Sequence, residues 1–190
     1  MNKRPISPVE HYLNHLDRIF GVEPVFFVID SATPGLPDMT GILYHNIPEK
    51  GFTTAFTYGL SLGNHASWKL GRPELSITVQ SDKRDWADAA VYLANQLRSK
   101  CPFTYGETIN FHAQICPDSN MDAFFVFAPS ILERADYMNI EVGTDYKIHI
   151  AGLYPIYSSE LPILHKMGLK DFWHHPKFDM YDIHRSPINT

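Results

Sequence analysis

Four extended runs, residues 25–29, 40–47, 52–60 and 74–79, follow one another with only turns and loops between them. Successive parallel strands need a crossover of a dozen or more residues, usually helical, whereas antiparallel strands close through short turns. That order therefore argues against a doubly wound parallel sheet. Val25-Phe26-Phe27-Val28-Ile29 is continuously apolar, the pattern of a strand buried on both faces. Residues 40–47 and 52–60 flank Pro48-Glu49-Lys50-Gly51 and read as a hairpin. In its second strand Phe52, Phe56, Tyr58 and Leu60 share one side, with Thr53, Ala55 and Thr57 on the other. Leu75, Ile77 and Val79 alternate with Ser76 and Thr78 in the fourth run.

Helical patterns bracket and divide these strands. Ser7 and Glu10 have capping-box spacing and Pro8 takes the first helical position. Tyr12, Leu13, Leu16, Ile19 and Phe20 then recur on one face until Gly21, predicting a helix over 7–20. Asp82 can cap a second helix over 83–98, where Trp86, Ala89, Ala90, Leu93 and Leu97 keep helical spacing. Strands are expected again over 108–115, 123–127 and 146–151. A last helix over 159–167 is stopped by Gly168. No linker-like stretch divides residues 1–190. The expectation is one α+β domain, with a large, mostly antiparallel or mixed sheet of about seven strands and three helices packed on it.

Composition narrows the function classes. With 44% hydrophobic and 19% charged residues the chain can bury a sizeable core and is not disordered. A net charge of −5 lacks the footprint of a phosphate-backbone binder, so nucleic acid is not an expected partner. Cys101 and Cys116 are too few for a disulfide framework and read as free thiols in a reducing compartment. The longest apolar run, Val25 to Ile29, is far below the roughly 20 residues of a membrane span, and the start of the chain lacks a signal-peptide pattern. A soluble, cytoplasmic protein without a membrane partner is expected. Nothing in the sequence sets an oligomeric state.

Chemical motifs are sparse. The 10 histidines crowd towards the C-terminus, where His174, His175 and His184 lie among Asp179 and Asp182. Metal sites need such donors to converge from a fixed frame, but Pro176 interrupts any helix that would present them. The run reads as an exposed tail without a metal; a metal site and internal hydrogen bonding are the other readings. Gly59-Leu60-Ser61-Leu62-Gly63 spells the Gly-x-Ser-x-Gly nucleophile elbow, which belongs between a strand and a helix. No helical period follows Gly63, so glycines serving backbone geometry explain the segment better than a hydrolase using Ser61. Asp85 and Asp88 suit the start of a helix and need no catalytic role. There is no phosphate-cradling glycine pattern, and no cofactor is expected.

Three segments together carry a resemblance. Phe56-Thr57-Tyr58-Gly59-Leu60-Ser61 is a strand running into a Gly-x-Ser turn. Gly71-Arg72-Pro73-Glu74-Leu75-Ser76-Ile77 enters a strand through Arg-x-Glu-Leu. Leu153-Tyr154-Pro155-Ile156-Tyr157-Ser158-Ser159-Glu160-Leu161 is followed by Gly168. In order and spacing they resemble the suppressor of fused domain, and residues 178–185 resemble its usual ending. The likeness runs from the first helix to about Pro187. It implies a non-enzymatic protein-binding domain. Animal members of that family sequester Gli transcription factors with the help of a second domain, for which this chain has no room. Bacterial single-domain members include immunity proteins, so the resemblance implies another protein as partner, such as a cognate toxin. The small acidic charge would suit a basic one. A hydrolase using Ser61 or a metal site of the C-terminal histidines, and a small-ligand pocket lined by aromatics, are the rival classes.

The motif residues Gly59, Ser61, Arg72, Glu74, Pro155, Glu160 and Gly168 have structural readings beside partner contact. Arg72 and Glu74 stand on one side of an extended chain and can fix the loop through paired hydrogen bonds. Pro155 is expected to end the last strand, and Glu160 to open the helix after it. The partner's docking place is expected at residues 107–115. Ile109, Phe111, Ala113 and Ile115 alternate there with outward Asn110, His112 and Gln114, and no proline intervenes. As an edge this segment could take an added strand; as a central strand half-covered by a helix it could not.

Overall fold

A computed structural model describes residues 4–189. Its centre is an open eight-stranded sheet in the order β1-β2-β3-β4-β8-β6-β5, with the two-residue β7 (Ile140–Glu141) pairing β8 to the side. The other strands are β1 (Val25–Ile29), β2 (Met39–His45), β3 (Thr53–Tyr58), β4 (Arg72–Val79), β5 (Thr108–Asn110), β6 (Ala123–Phe127) and β8 (Lys147–Ile156). All neighbours are antiparallel except β4 and β8, where Arg72 to Ile77 run alongside Ile148 to Leu153. The α+β class and the mixed sheet agree with the sequence reading.

Helix α1 (Pro8–Phe20) starts in the expected capping box and ends at Gly21 in the left-handed conformation. Its Tyr12 and Leu16 bury against Ile42, Tyr44, Phe56, Tyr58, Ile148 and Ile150. On the opposite face α2 (Asp85–Leu97) packs Trp86, Ala90 and Ala94 over Leu43, Ala55, Leu75, Ile77 and Val79. A third cluster joins Phe125 of β6 and Tyr154 of β8 to Leu164 of α4 (Leu161–Met167), Phe172 of α5 (Leu169–Trp173) and Ile188. A single turn of helix, α3 (Arg134–Tyr137), completes the set. Among the described residues no helix is long and apolar enough to cross a membrane.

Several expectations need correction. β1 is not buried on both faces. It is the sheet's outer strand, and Phe26 and Val28 are 50% and 60% exposed. The hairpin's second strand is covered on both faces, and its threonines bond inward: Thr53 Oγ1 to the Ser81 carbonyl at 2.6 Å and Thr54 Oγ1 to that of Ile47 at 2.8 Å. Helix α2 begins after Arg84, with no side-chain cap from Asp82. Pro155 does not end β8, which runs on to Ile156. It lies beyond Leu153, where pairing with β4 has already stopped, so its missing N–H costs that ladder nothing. The extended run expected over 108–115 pairs as a strand only through Asn110. Asn110 Oδ1 accepts the His112 N–H at 2.8 Å and His112 turns left-handed, which breaks the alternation and leaves Ala113 exposed. Nor is the C-terminal run an exposed tail. Ile183, Arg185 and Ile188 are buried, and the Tyr181 carbonyl accepts the Gln80 N–H at 3.0 Å.

Candidate functional site

Most motif residues converge on two buried carboxylates. Glu74 on β4 is fully buried beneath the turn that follows β3. Its Oε1 accepts the N–H groups of Gly59 and Ser61 at 2.9 and 3.0 Å and the Ser61 hydroxyl at 2.7 Å, while Oε2 accepts the Thr57 hydroxyl at 2.6 Å. Arg72 holds the same turn from outside, its Nη1 donating to the carbonyls of Ser61 and Gly63 at 3.1 and 3.0 Å. Its guanidinium lies 4.1 Å from the centre of the Tyr146 ring. Arg72 and Glu74 thus serve one loop, through different atoms of it and without bonding each other.

A third group closes the cage. Buried Arg98, just after α2, donates to the carbonyls of Pro37 and Gly59 and to the Ser31 hydroxyl. The Gly59 peptide is therefore flanked by a carboxylate at its N–H and a guanidinium at its C=O. Gly59 sits at φ 125°, where a Cβ would come within 2.9 Å of the Met39 sulfur, so only glycine fits. Burial pushes the Glu74 carboxyl above its ordinary range, against the pull of its four hydrogen-bond donors. Burial likewise raises the Tyr12 phenol well above its usual value.

This geometry decides how the serine motif reads. Ser61 is fully buried, its hydroxyl bonds a carboxylate and no histidine, and the turn leads out of a 3-10 segment, Leu60–Leu62, rather than into an α-helix. An elbow presents its nucleophile to substrate beside a base. Ser61 does neither.

The second carboxylate, Glu160, ties down the C-terminal segment. Arg185 meets it through two parallel bonds, Nη1 to Oε1 at 2.6 Å and Nη2 to Oε2 at 2.8 Å, with both side chains buried. The N–H groups of Tyr157 and Ile188 complete its shell at 2.9 and 2.8 Å. Gly168, at φ 87°, ends α4 by donating to the Leu164 carbonyl, and α5 starts directly after it. Arg185 was absent from the sequence-derived set; its place in the family-like ending was the available signal. Among the described residues no group of three or more His, Cys, Asp or Glu side chains could hold a metal. Asp179 and Asp182 instead accept main-chain N–H groups of Tyr181 and His184.

Asn110, His112 and Gln114 are exposed at the sheet's far edge, where, among the described residues, β5 pairs only with β6. The Phe111 N–H bonds the Asp122 carbonyl and the Val126 N–H bonds the Glu107 carbonyl, both at 2.9 Å. Odd-numbered residues thus face β6, and the main-chain groups of Thr108 and Asn110 face outward. Gln114 is set apart, its amide donating to the Ser119 carbonyl at 2.9 Å. Close by, a cleft of about 330 Å³ is lined by Trp68, Leu70, Phe103, Tyr105, Met138 and His149, a predominantly apolar wall that sequence reading had not localised. The His149 ring packs on Gly71, and burial lowers its pKa, favouring the neutral imidazole.

No protein-family model and no curated protein matches the chain. Solved structures do. A SUFU (suppressor of fused protein) homolog from Neisseria gonorrhoeae FA 1090 superposes with a TM-score of 0.68 at 17% identity, over 94% of each chain. A chain of the Sufu–Fu complex gives 0.68 at 11%, over 96% of this chain and 92% of that one. Drosophila Suppressor of Fused gives 0.67 at 11%, over 97% of this chain and 52% of that one. The chain has the fold of the suppressor of fused homologues.

Proposed function

We propose that this chain is a non-catalytic protein-binding domain that docks its partner by strand addition at β5, and that the partner is a toxin it neutralises. The observation that carries the docking mode is the outward-facing main chain of Thr108 and Asn110, with Asn110 and His112 exposed around it. Support for a protein partner comes from the shared fold, one of whose examples was solved as the Sufu–Fu complex. The burial of Ser61 weighs against the serine form of the hydrolase reading, whose other form used the C-terminal histidines. The net charge of −5 would favour a basic toxin.

The test is co-purification with, and growth rescue against, a toxin encoded by a neighbouring gene, using wild type and Asn110→Pro. That proline removes an outward donor and leaves the bonds to β6 intact. Asn110→Ala, which gives up only the side-chain bond to the His112 N–H, is its control and should retain rescue. Rescue by the wild type, lost in a variant with an unchanged melting temperature, supports the proposal. His112→Pro is a poor substitute, because the left-handed backbone there excludes proline whether or not a partner binds. Rescue that survives Asn110→Pro sinks the β5 mode; a neighbouring toxin that neither binds nor is neutralised sinks the immunity role. A second reading, a small apolar ligand, rests on the cleft at Trp68 and Tyr105; saturable quenching of Trp68 fluorescence by such a ligand would favour it.

A further inference from the structure

The opposite end of the sheet carries an edge of different character. β1 pairs with β2 on one side and with no strand among the described residues on the other. Protein edges are normally blunted by charge, proline, a bulge or brevity. β5 offers only the outward main chain of Thr108 and Asn110, flanked by polar side chains. β1 has none of these devices within its five residues, Val25-Phe26-Phe27-Val28-Ile29. Phe26 and Val28 share the face that α1 covers over β2 and β3, but they lie beyond its reach. Val25, on the opposite face of the strand, is 48% exposed, so both faces of β1 end in uncovered apolar side chains. The strand is also firmly presented. The Phe27 ring fills the space that a side chain on Gly41 would take, and the Arg84 guanidinium lies 4.4 Å from its centre.

We propose that β1 is a self-association edge, which adds β1 of a second copy antiparallel about a two-fold axis through Phe27 and joins the two sheets into one. The register argues for a second copy. With Phe27 opposite its own counterpart, Val25 meets Ile29 and Phe26 meets Val28, each twice. Beyond them Pro24 meets Asp30 and Glu23 meets Ser31. Apolar faces apolar along the whole strand, and no carboxylate faces another despite the net charge of −5. Both neighbouring two-fold registers are worse. Centring on Phe26 sets Glu23 against Ile29, and centring on Val28 sets Asp30 against Phe26. The pairing is isologous, so it closes at two copies. A strand about 17 Å long covers much less than the roughly 800 Å² per partner of a stable interface, so the dimer is weak and forms at high concentration.

Sedimentation equilibrium of the full chain from about 10 µM to about 1 mM reads this directly. The wild type should pass from monomer towards dimer. Phe26→Lys and Val28→Glu, both at exposed positions, should each weaken the dimer by about tenfold. The double variant Phe26→Lys/Val28→Glu sets lysine against glutamate twice and should recover association. Phe26→Lys/Val28→Lys sets lysine against lysine and should not. Near-UV circular dichroism confirms that each variant is folded. A wild type that stays monomeric throughout, dimerisation insensitive to all four variants, or failure of the charge-paired variant to recover would overturn the proposal. None of these outcomes touches the β5 reading, which concerns the other edge.

Discussion

At Glu74 two tendencies oppose each other. Removal from water favours the protonated acid, whereas two hydroxyls and two main-chain N–H groups favour the carboxylate. Burial prevails, and the folded pKa lies above the ordinary 4.5. Folding therefore takes up a proton between the two values. The contribution of Glu74 is complete below the unfolded pKa and is lost as pH rises through the folded one. Glu74→Gln cannot titrate, so it serves as the reference. The stability of the wild type relative to this variant, from urea unfolding, should increase as pH falls from about 7 to about 5. A relative stability that decreases over that window would mean that the four donors, not burial, set the pKa. The spacing of Arg72 and Glu74 showed that they belong to one strand, but not what they hold. Their partners lie 9 to 17 residues earlier, in a turn whose position is fixed only once β3 and β4 pair.

Among the elements, the C-terminal segment was least legible and is among the most firmly fixed. Proline and scattered polar residues hide any periodicity from Pro176 onward, so its anchoring comes from single long-range contacts rather than from a pattern. The chief one is Arg185 to Glu160. Taking one partner from a buried, doubly bonded ion pair strands the other and costs about 3–5 kcal/mol. Arg185→Ala should therefore destabilise the fold by that amount in urea unfolding and expose the segment after Trp173 to limited proteolysis; a change below about 1 kcal/mol would show the pair to be dispensable. Helix α1 was readable to its caps because its signals are local. β1 was misread because a continuous apolar run looks alike in a buried strand and in an edge meant to be covered. β5 was read too long because the Asn110 side chain diverts the backbone where alternation alone would continue it.

For the whole molecule, the sheet consists of a meander, β1 to β4, joined to the β8-β6-β5 group through the one parallel pair. That joint brings together residues about 76 apart in sequence, from Arg72 with Ile148 to Ile77 with Leu153, and both strands are covered on each face. Amides there should exchange with solvent only when the whole fold opens, while those of β1 and β5 should escape through local fraying at lower free energy. Hydrogen exchange should resolve the two edges as well. Raising the protein concentration should slow β1 while leaving Thr108 and Asn110 unchanged, because self-association uses the β1 edge alone. Adding a protein partner should do the reverse. If both edges slow together under either treatment, they are coupled through the sheet and cannot act as separate surfaces. If exchange at the edges is as slow as at β4 and β8, neither strand opens enough locally for these edges to be distinguished from the core.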